Sequence, residues 1–302
     1  MSRFCIAGSI NMDLVTKVSR FPKPGETISG LAFNTFTGGK GANQAVALAK
    51  LGAETSMVGR TGSDIYASQY MSYFKTLNID TAGIEAVDTS TGIAAISVDG
   101  KGENCIIYVE GANGTVDPAY IRSKAEIIAK ADYLLLQLEI PMDAVCEAAK
   151  TASENGRTVI LDPAPAKAVP NELLKHTTII TPNETEAEIL TGIKPSSDAD
   201  IEKIGKALAN KGVSTVIIKA GSRGAYIYQS GKITHVEGFK VDTADTTAAG
   251  DTFNAGLAYA LGTGKKIKDA VLFANAAAAI STTRVGAQSG MPSLGDVKAL
   301  LG

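Results

Sequence analysis

Asp251 follows Ala248, Ala249 and Gly250 and precedes a helical run, within DTTAAGDTFNAG at residues 245–256. Three small side chains let backbone N–H groups come close to a ligand, and the start of a helix presents such groups to anions. A carboxylate there can take the proton of a hydroxyl while the N–H groups hold a phosphate. Phosphoryl transfer needs both. Helix capping by Asp251 is the structural alternative. It accounts for the acid, but not for the Ala-Ala-Gly approach or for a second acid, Asp245, six residues earlier.

A second cluster is GGKGANQA at residues 38–45, where Gly39, Lys40, Gly41, Ala42 and Asn43 lead into a helical stretch. It is neither a P-loop nor a dinucleotide fingerprint, and a tight turn with Asn43 as N-cap also explains it. Near the N-terminus Asn11, Met12 and Asp13 follow a buried run. In extended chain Asn11 and Asp13 point one way and Met12 the other. An amide beside a carboxylate suits bonding to neighbouring sugar hydroxyls, and an Asx turn is the alternative. Glu139 follows a buried strand at residues 134–138, at the edge where ligands bind in open α/β sheets; simple exposure would also place it there. Asn183 and Glu186 open another helix. Glu there offsets the helix dipole, and the pair can also orient Mg²⁺-bound phosphates. Lys219, Ala220, Gly221, Ser222, Arg223 and Gly224 form a loop that a hairpin explains, as would a cover over nucleotide phosphates.

The elements that must position these groups alternate. Residues 4–7, 133–138, 158–161, 178–180 and 215–218 are β-branched or Leu-rich and read as strands buried on both faces. Helical patterns lie between them at 43–51, 65–77, 142–154, 184–190 and 201–211, and the last third is helical at 252–261, 267–283 and 294–301. This predicts an α/β fold: a doubly wound, mainly parallel sheet flanked by helices, in a single domain over residues 1–302. Strand-like runs at 14–18, 27–36, 92–98 and 104–110 break the alternation, with Asp99–Glu103 as a hairpin loop in the last pair. They predict a small separate sheet, inserted from about 14–36 and 92–110, that covers an active site, a partner subunit or both; an edge of the main sheet is the alternative.

The 302 residues are 45% hydrophobic and 20% charged, with a formal net charge of -2. No half is strongly basic, so nucleic acid is not an expected partner. No apolar run is long enough to span a bilayer, and the first residues do not read as a signal peptide. Cys5, Cys105 and Cys146 read as buried free thiols of a cytoplasmic protein. Two histidines, His176 and His235, leave little for a histidine metal site or a Ser-His triad.

Together these residues resemble the ribokinase branch of the pfkB-type carbohydrate kinase family, which includes fructokinase and adenosine kinase. The resemblance runs from residue 4 to 292. GGKGANQA and DTTAAGDTFNAG are its specific motifs, and Asn11-Met12-Asp13 beside Gly39–Asn43 points to the ribokinase branch. It implies ATP-dependent phosphorylation of ribose at the 5-hydroxyl. By position, Asn11, Asp13, Gly39, Lys40, Asn43 and Glu139 are implied to hold the sugar, with Met12, Gly41 and Ala42 in the same segments. Asp251 is the implied base and the Ala248–Asp251 backbone the implied anion hole. Asn183, Glu186, residues 219–224 and Asn275 are implied to serve ATP and Mg²⁺. The small sheet resembles the family's lid, which closes over the sugar and pairs with a second lid in a homodimer. A K⁺ activator is implied at Asp245, Thr247, Ser281, Arg284, Gly286 and Gly290, although the family usually has serine where Gly290 stands.

Three other expectations remain beside this one: the same chemistry on 2-deoxyribose, fructose or a nucleoside; a non-catalytic sugar-binding regulator, against which the intact Asp251 argues; and a nucleotide-linked dehydrogenase, which lacks its Gly-x-Gly-x-x-Gly.

Overall fold

A computed structural model describes residues 2–302. The first part of the chain forms β1 (Arg3–Ala7), β2 (Asn11–Lys17), β3 (Ala32–Gly38), α1 (Lys40–Lys50), β4 (Glu54–Gly62), α2 (Ile65–Thr76), β5 (Asp80–Val87), β6 (Gly92–Val98) and β7 (Asn104–Val109). The middle forms α3 (Pro118–Ser123), α4 (Ala125–Lys130), β8 (Tyr133–Leu136), α5 (Met142–Glu154), β9 (Thr158–Leu161), α6 (Asn171–Lys175), β10 (Ile179–Ile180), α7 (Glu184–Thr191) and α8 (Asp198–Ala209). The rest forms β11 (Thr215–Lys219), β12 (Ala225–Gln229), β13 (Lys232–Val236), α9 (Ala249–Gly262), α10 (Ile267–Thr282), α11 (Ala287–Gly290) and α12 (Leu294–Leu301).

The large sheet runs β13-β12-β11-β10-β9-β8-β1-β4-β5. From β5 to β11 every pairing is parallel; β12 and β13 close one edge as an antiparallel hairpin. Leu135 packs into the core on one face, while Leu134 and Leu136 pack into the core on the other. That is why these strands read as continuous apolar runs. On the first face α9 and α10 approach closely. Gly256 has no side chain, and a Cβ there would lie 3.2 Å from the Cα of Ala274 and from the Cβ of Ala277. This contact fixes the start of α9, and so Asp251.

Strand β1 lies between β4 and β8. The chain therefore winds outward to β5 and then restarts on the other side of β1. Ligands of doubly wound sheets bind in the crevice beyond the strand ends at such a switch point.

The small sheet has the order β3-β2-β6-β7. Its bounds differ from those read in the sequence. β2 begins at Asn11 rather than near residue 14, and β3 runs from Ala32 to Gly38, whereas 27–31 is not strand. Pairing explains the shift: Asn11 lies opposite both Gly38 and Gly92, so the lid is rooted at the crevice itself. Strands β4 and β5 escaped the sequence reading, because Glu54, Gly59, Arg60 and Gly62 interrupt any apolar run in β4. The thiols also differ from expectation: Cys5 is buried, but Cys105 is exposed and Cys146 half-buried. Among the described residues no helix is long and apolar enough to cross a membrane.

Candidate functional site

The crevice is shaped by a close approach of two turns. Gly39 has φ 87°, and a Cβ on Gly41 would lie 2.6 Å from the backbone of Gly8 and Ser9. Only glycine lets the first turn of α1 rest on the β1–β2 turn. Glu139, beyond β8, closes this junction: its Oε2 accepts from Ser9 Oγ at 2.6 Å and from the Lys40 backbone N–H at 3.0 Å.

Asp251 does not cap α9, contrary to the structural alternative. Ala248 is the N-cap, in the left-handed region with φ 59°, and Asp251 is the third helical residue. Its Oδ2 accepts from Asn43 Nδ2 at 2.9 Å and its Oδ1 from Gln44 Nε2 at 3.1 Å. Only 4% of it is exposed. Burial pushes its carboxyl up to about 6; the Lys40 ammonium opposes this and Asp162 adds to it. The Ala249 N–H is spent on Thr246 O. Those of Gly250 and Asp251 have no intrahelical acceptor, because they lie in the first turn. Asn43 likewise is not a cap, since α1 begins at Lys40 after Gly39.

On the lid side, Asn11 Oδ1 accepts from Asn113 Nδ2 at 2.7 Å. The Asp13 carboxylate lies over Gly38, where a Cβ would meet it at 2.5 Å. Burial pushes Asp13 up to about 6, and the charge of Glu139 adds to this. Met12 and Ala42 turn away into the hydrophobic core, so neither side chain reaches the crevice. Burial would strip the Lys40 proton, but Asp251, Asp162, Glu139 and Glu186 outweigh it and hold the ammonium above its usual range.

A cleft of about 790 Å³ extends from Lys40 and Asp251 towards α7, the β11–β12 loop and α10. Asn183, Glu186, Lys219, Gly221, Ser222, Gly224 and Asn275 line it, as do Ala248, Ala249 and Gly250. Ala220 and Arg223 do not. Ala220 is buried, and the Arg223 guanidinium reaches Glu184 at 2.5 Å beside a smaller pocket. Asn183 and Glu186 form a reciprocal capping box on α7, which gives both a structural duty as well. Asn275 is anchored by Nδ2 on the carbonyls of Val236 and Glu237.

The sequence reading missed Asp162, Gln44, Ser9, Asn113 and Gln288. Asp162 follows β9 and is buried; its Oδ1 takes Lys219 Nζ at 2.8 Å and its Oδ2 takes Gln44 Nε2 at 3.2 Å. Gln288 donates to Asn43 Oδ1 at 2.9 Å. An acid directly after a buried strand was the available signal for Asp162, the same signal that found Glu139.

The six residues expected around a monovalent cation are brought together. Asp245 Oδ1 accepts from the N–H and hydroxyl of Thr247 at 2.9 and 2.6 Å, and its Oδ2 from the Gly286 N–H at 2.9 Å. Burial opposes ionisation of Asp245, but these hydrogen bonds prevail and hold it below the usual carboxylate range. A Cβ on Gly290 would lie 3.0 Å from the Ser281 carbonyl oxygen and 3.2 Å from that of Arg284. The two carbonyls thus converge beside Gly290.

A carboxylate and free helix N–H groups at the switch point of a doubly wound sheet, under a small β lid, define an enzyme of the small-molecule phosphotransferase class. The chain belongs to the pfkB family of carbohydrate kinases, whose family model matches residues 1–294. It is 44% identical over 289 residues to the ribokinase of Haemophilus influenzae, covering 95% of this chain and 94% of that one. It is 37% identical over 295 residues to the deoxyribokinase of Salmonella typhimurium, with 96% and 95% covered. The structure of Arabidopsis thaliana ribokinase complexed with ribose and ATP superposes with a TM-score of 0.95 at 35% identity, over 99% of this chain and 98% of that one.

Proposed function

We propose that this protein transfers the γ-phosphoryl group of ATP to the 5-hydroxyl of D-ribose, giving ribose 5-phosphate and ADP. The observation that carries the reading is Asp251: a buried carboxylate held on both oxygens, beside the free N–H groups of Gly250 and its own backbone, at the junction of crevice and cleft. The similarity to ribokinases over nearly the whole chain supports ribose and ATP as the substrates.

In this mechanism Asp251 accepts the proton of the sugar hydroxyl. The hydroxyl oxygen bonds to the γ-phosphorus as the bond to the β–γ bridging oxygen breaks, and the electron pair leaves with ADP. The N–H groups of Gly250 and Asp251 and the ammonium groups of Lys40 and Lys219 hold the charge that spreads over the phosphoryl oxygens. Asn11, Asp13, Gly39, Lys40, Asn43 and Glu139 hold the sugar. Asn183, Glu186, Ser222, Gly224 and Asn275 serve the nucleotide. Asp162 is the weaker candidate for the base, because Lys219 is already bound to it. Among the described residues no three acid, His or Cys side chains converge as a metal site. The cleft suits Mg²⁺ carried on the phosphates, with Glu186 and Asn183 as outer partners; when bound, the ion neutralises phosphate charge.

A panel of pentoses, hexoses and nucleosides with ADP release as readout tests the reading. Ribose is expected to give the highest kcat/KM, because a site built to bond each ring hydroxyl rejects sugars that lack one. A higher value for fructose or adenosine overturns it. 2-Deoxyribose is the second reading, supported by the 37% identity to a deoxyribokinase.

The residues around Gly290 fit a K⁺ ion: one carboxylate and two carbonyls that converge beside a glycine. The ion would steady the loop before Ala248 and add positive potential near the transferred group. Adding K⁺ at constant ionic strength, in place of a large organic cation, is expected to raise kcat several-fold, an effect lost in Asp245→Ala. A rate indifferent to K⁺ leaves Asp245 as a turn residue.

We read residues 1–302 as one kinase domain and the protein as a homodimer joined through its lids, in the cytoplasm. All of β7 is exposed, with Ile107 66% exposed, and Phe33 on β3 is 61% exposed. Apolar edge strands of this kind call for a partner. Light scattering at micromolar concentration is expected to give twice the chain mass; a monomer mass rejects the lid interface.

A further inference from the structure

We propose that Gln44 is a positioning residue for phosphoryl transfer: one side-chain nitrogen ties Asp251 to Asp162 at the base of the cleft. The inference rests on Asp251 being the base.

Gln44 is fully buried in α1. Its Nε2 carries two protons. One goes to Asp251 Oδ1 at 3.1 Å and the other to Asp162 Oδ2 at 3.2 Å. Its Oε1 accepts from Gln137 Nε2 at 2.7 Å. Turning the amide over would set its oxygen against two carboxylates and its NH₂ against that of Gln137. The network therefore selects one orientation. Asn43, the preceding residue on the same helix, holds Asp251 Oδ2. Two consecutive amides thus fix the carboxylate plane from one side, while Asp251 borders the cleft on the other.

The link has an electrostatic purpose. Asp251 and Asp162 are both buried, and the charge of Asp162 disfavours that of Asp251. The bridging amide gives each a donor, and Lys219 takes the far oxygen of Asp162. Lys40 of α1 also acts on Asp251, and Lys40 is itself shared with Glu139 beyond β8 and Glu186 of α7. Without the Gln44 donor, two like charges would face each other with one fewer compensating group, and the ionised form of Asp251 would be harder to hold.

Gln44→Met keeps length and volume and removes the hydrogen bonds. It is expected to move the acid limb of the kcat–pH profile up by about one pH unit. KM for ribose and for ATP should stay within about twofold, and the rate should recover at alkaline pH. A profile coincident with that of the unmodified enzyme overturns the proposal. Asp251→Asn, measured alongside, separates the two readings. If that variant is active, the assignment of the base has failed; if it is inactive while Gln44→Met keeps the original profile, only the role of Gln44 has failed. Should Gln44→Met not fold, Gln137→Met carries the test. It removes the donor to Gln44 Oε1 without touching Asp251, so the amide that the two carboxylates still orient is held less firmly, and a smaller shift of the same sign is expected. An unmoved acid limb there overturns the proposal.

Discussion

Asp251→Asn is expected to lower kcat by about a hundredfold or more, the usual cost of losing a general base, while ATP affinity stays within a few-fold. The residue takes a proton only as a carboxylate. Its two oxygens already receive Asn43 and Gln44, which hold its plane but leave its basicity to its surroundings. Burial, with Asp162, raises the carboxyl to about 6, and Lys40 keeps it from rising further. The base is therefore ionised at neutral pH, and its ionised fraction falls as pH falls through 6. In the unmodified enzyme kcat should be flat above about pH 7 and drop about tenfold per unit well below pH 6. The asparagine variant should lose this limb along with its rate. Steady-state kinetics from pH 5 to 9, with nucleotide binding measured by calorimetry, check both parts. Turnover by the variant near the original rate would show that another group is the base.

Lys219→Met is expected to destabilise the fold by about 3 kcal/mol, because it leaves one charge of a buried pair without its partner. Lys219 Nζ lies 2.8 Å from Asp162 Oδ1, with side chains 13% and 3% exposed. Glu186 Oε2 is 4.0 Å from the same ammonium and loses the same neighbour. The variant should also bind ATP more weakly, since this ammonium borders the cleft beside Gly250. Adding Asp162→Leu should restore most of the stability but not the affinity, because the uncompensated charge is then gone while the phosphate contact is still missing. The chain has no tryptophan, so urea unfolding is followed by far-ultraviolet circular dichroism. A single variant as stable as the unmodified protein would mean that Asp162 is neutralised by some other group.

Local chemistry made much of this molecule legible in its sequence. The apolar runs at β1, β8, β9 and β11 are buried on both faces, and such strands need no partner to be recognised. The small residues before Asp251 and the glycines around Lys40 announce close backbone approaches. The hairpin at Asp99–Glu103 follows from turn chemistry, and the alternation of Asn11, Met12 and Asp13 from the pleat of a strand. Phosphoryl transfer with Asp251 as base could be argued from these features, and the class of enzyme from the family resemblance that the same motifs carry.

Tertiary structure decided the rest. Asp251 meets Asn43 across 208 positions of chain and Lys219 meets Asp162 across 57. It also decided that Asp251 is a first-turn helical residue rather than a cap, that Met12 and Ala42 belong to the core, and that Arg223 pairs with Glu184 and does not itself line the cleft. Strand β4 was hidden because its glycines serve neighbours far away in sequence; a Cβ on Gly59 would lie 2.7 Å from the Gly8 carbonyl oxygen. Periodicity and turn residues record the constraints that a segment imposes on itself. Which buried carboxylate receives which amide or ammonium depends on how helices and strands pack after long connections close, and no local pattern of residues carries that information.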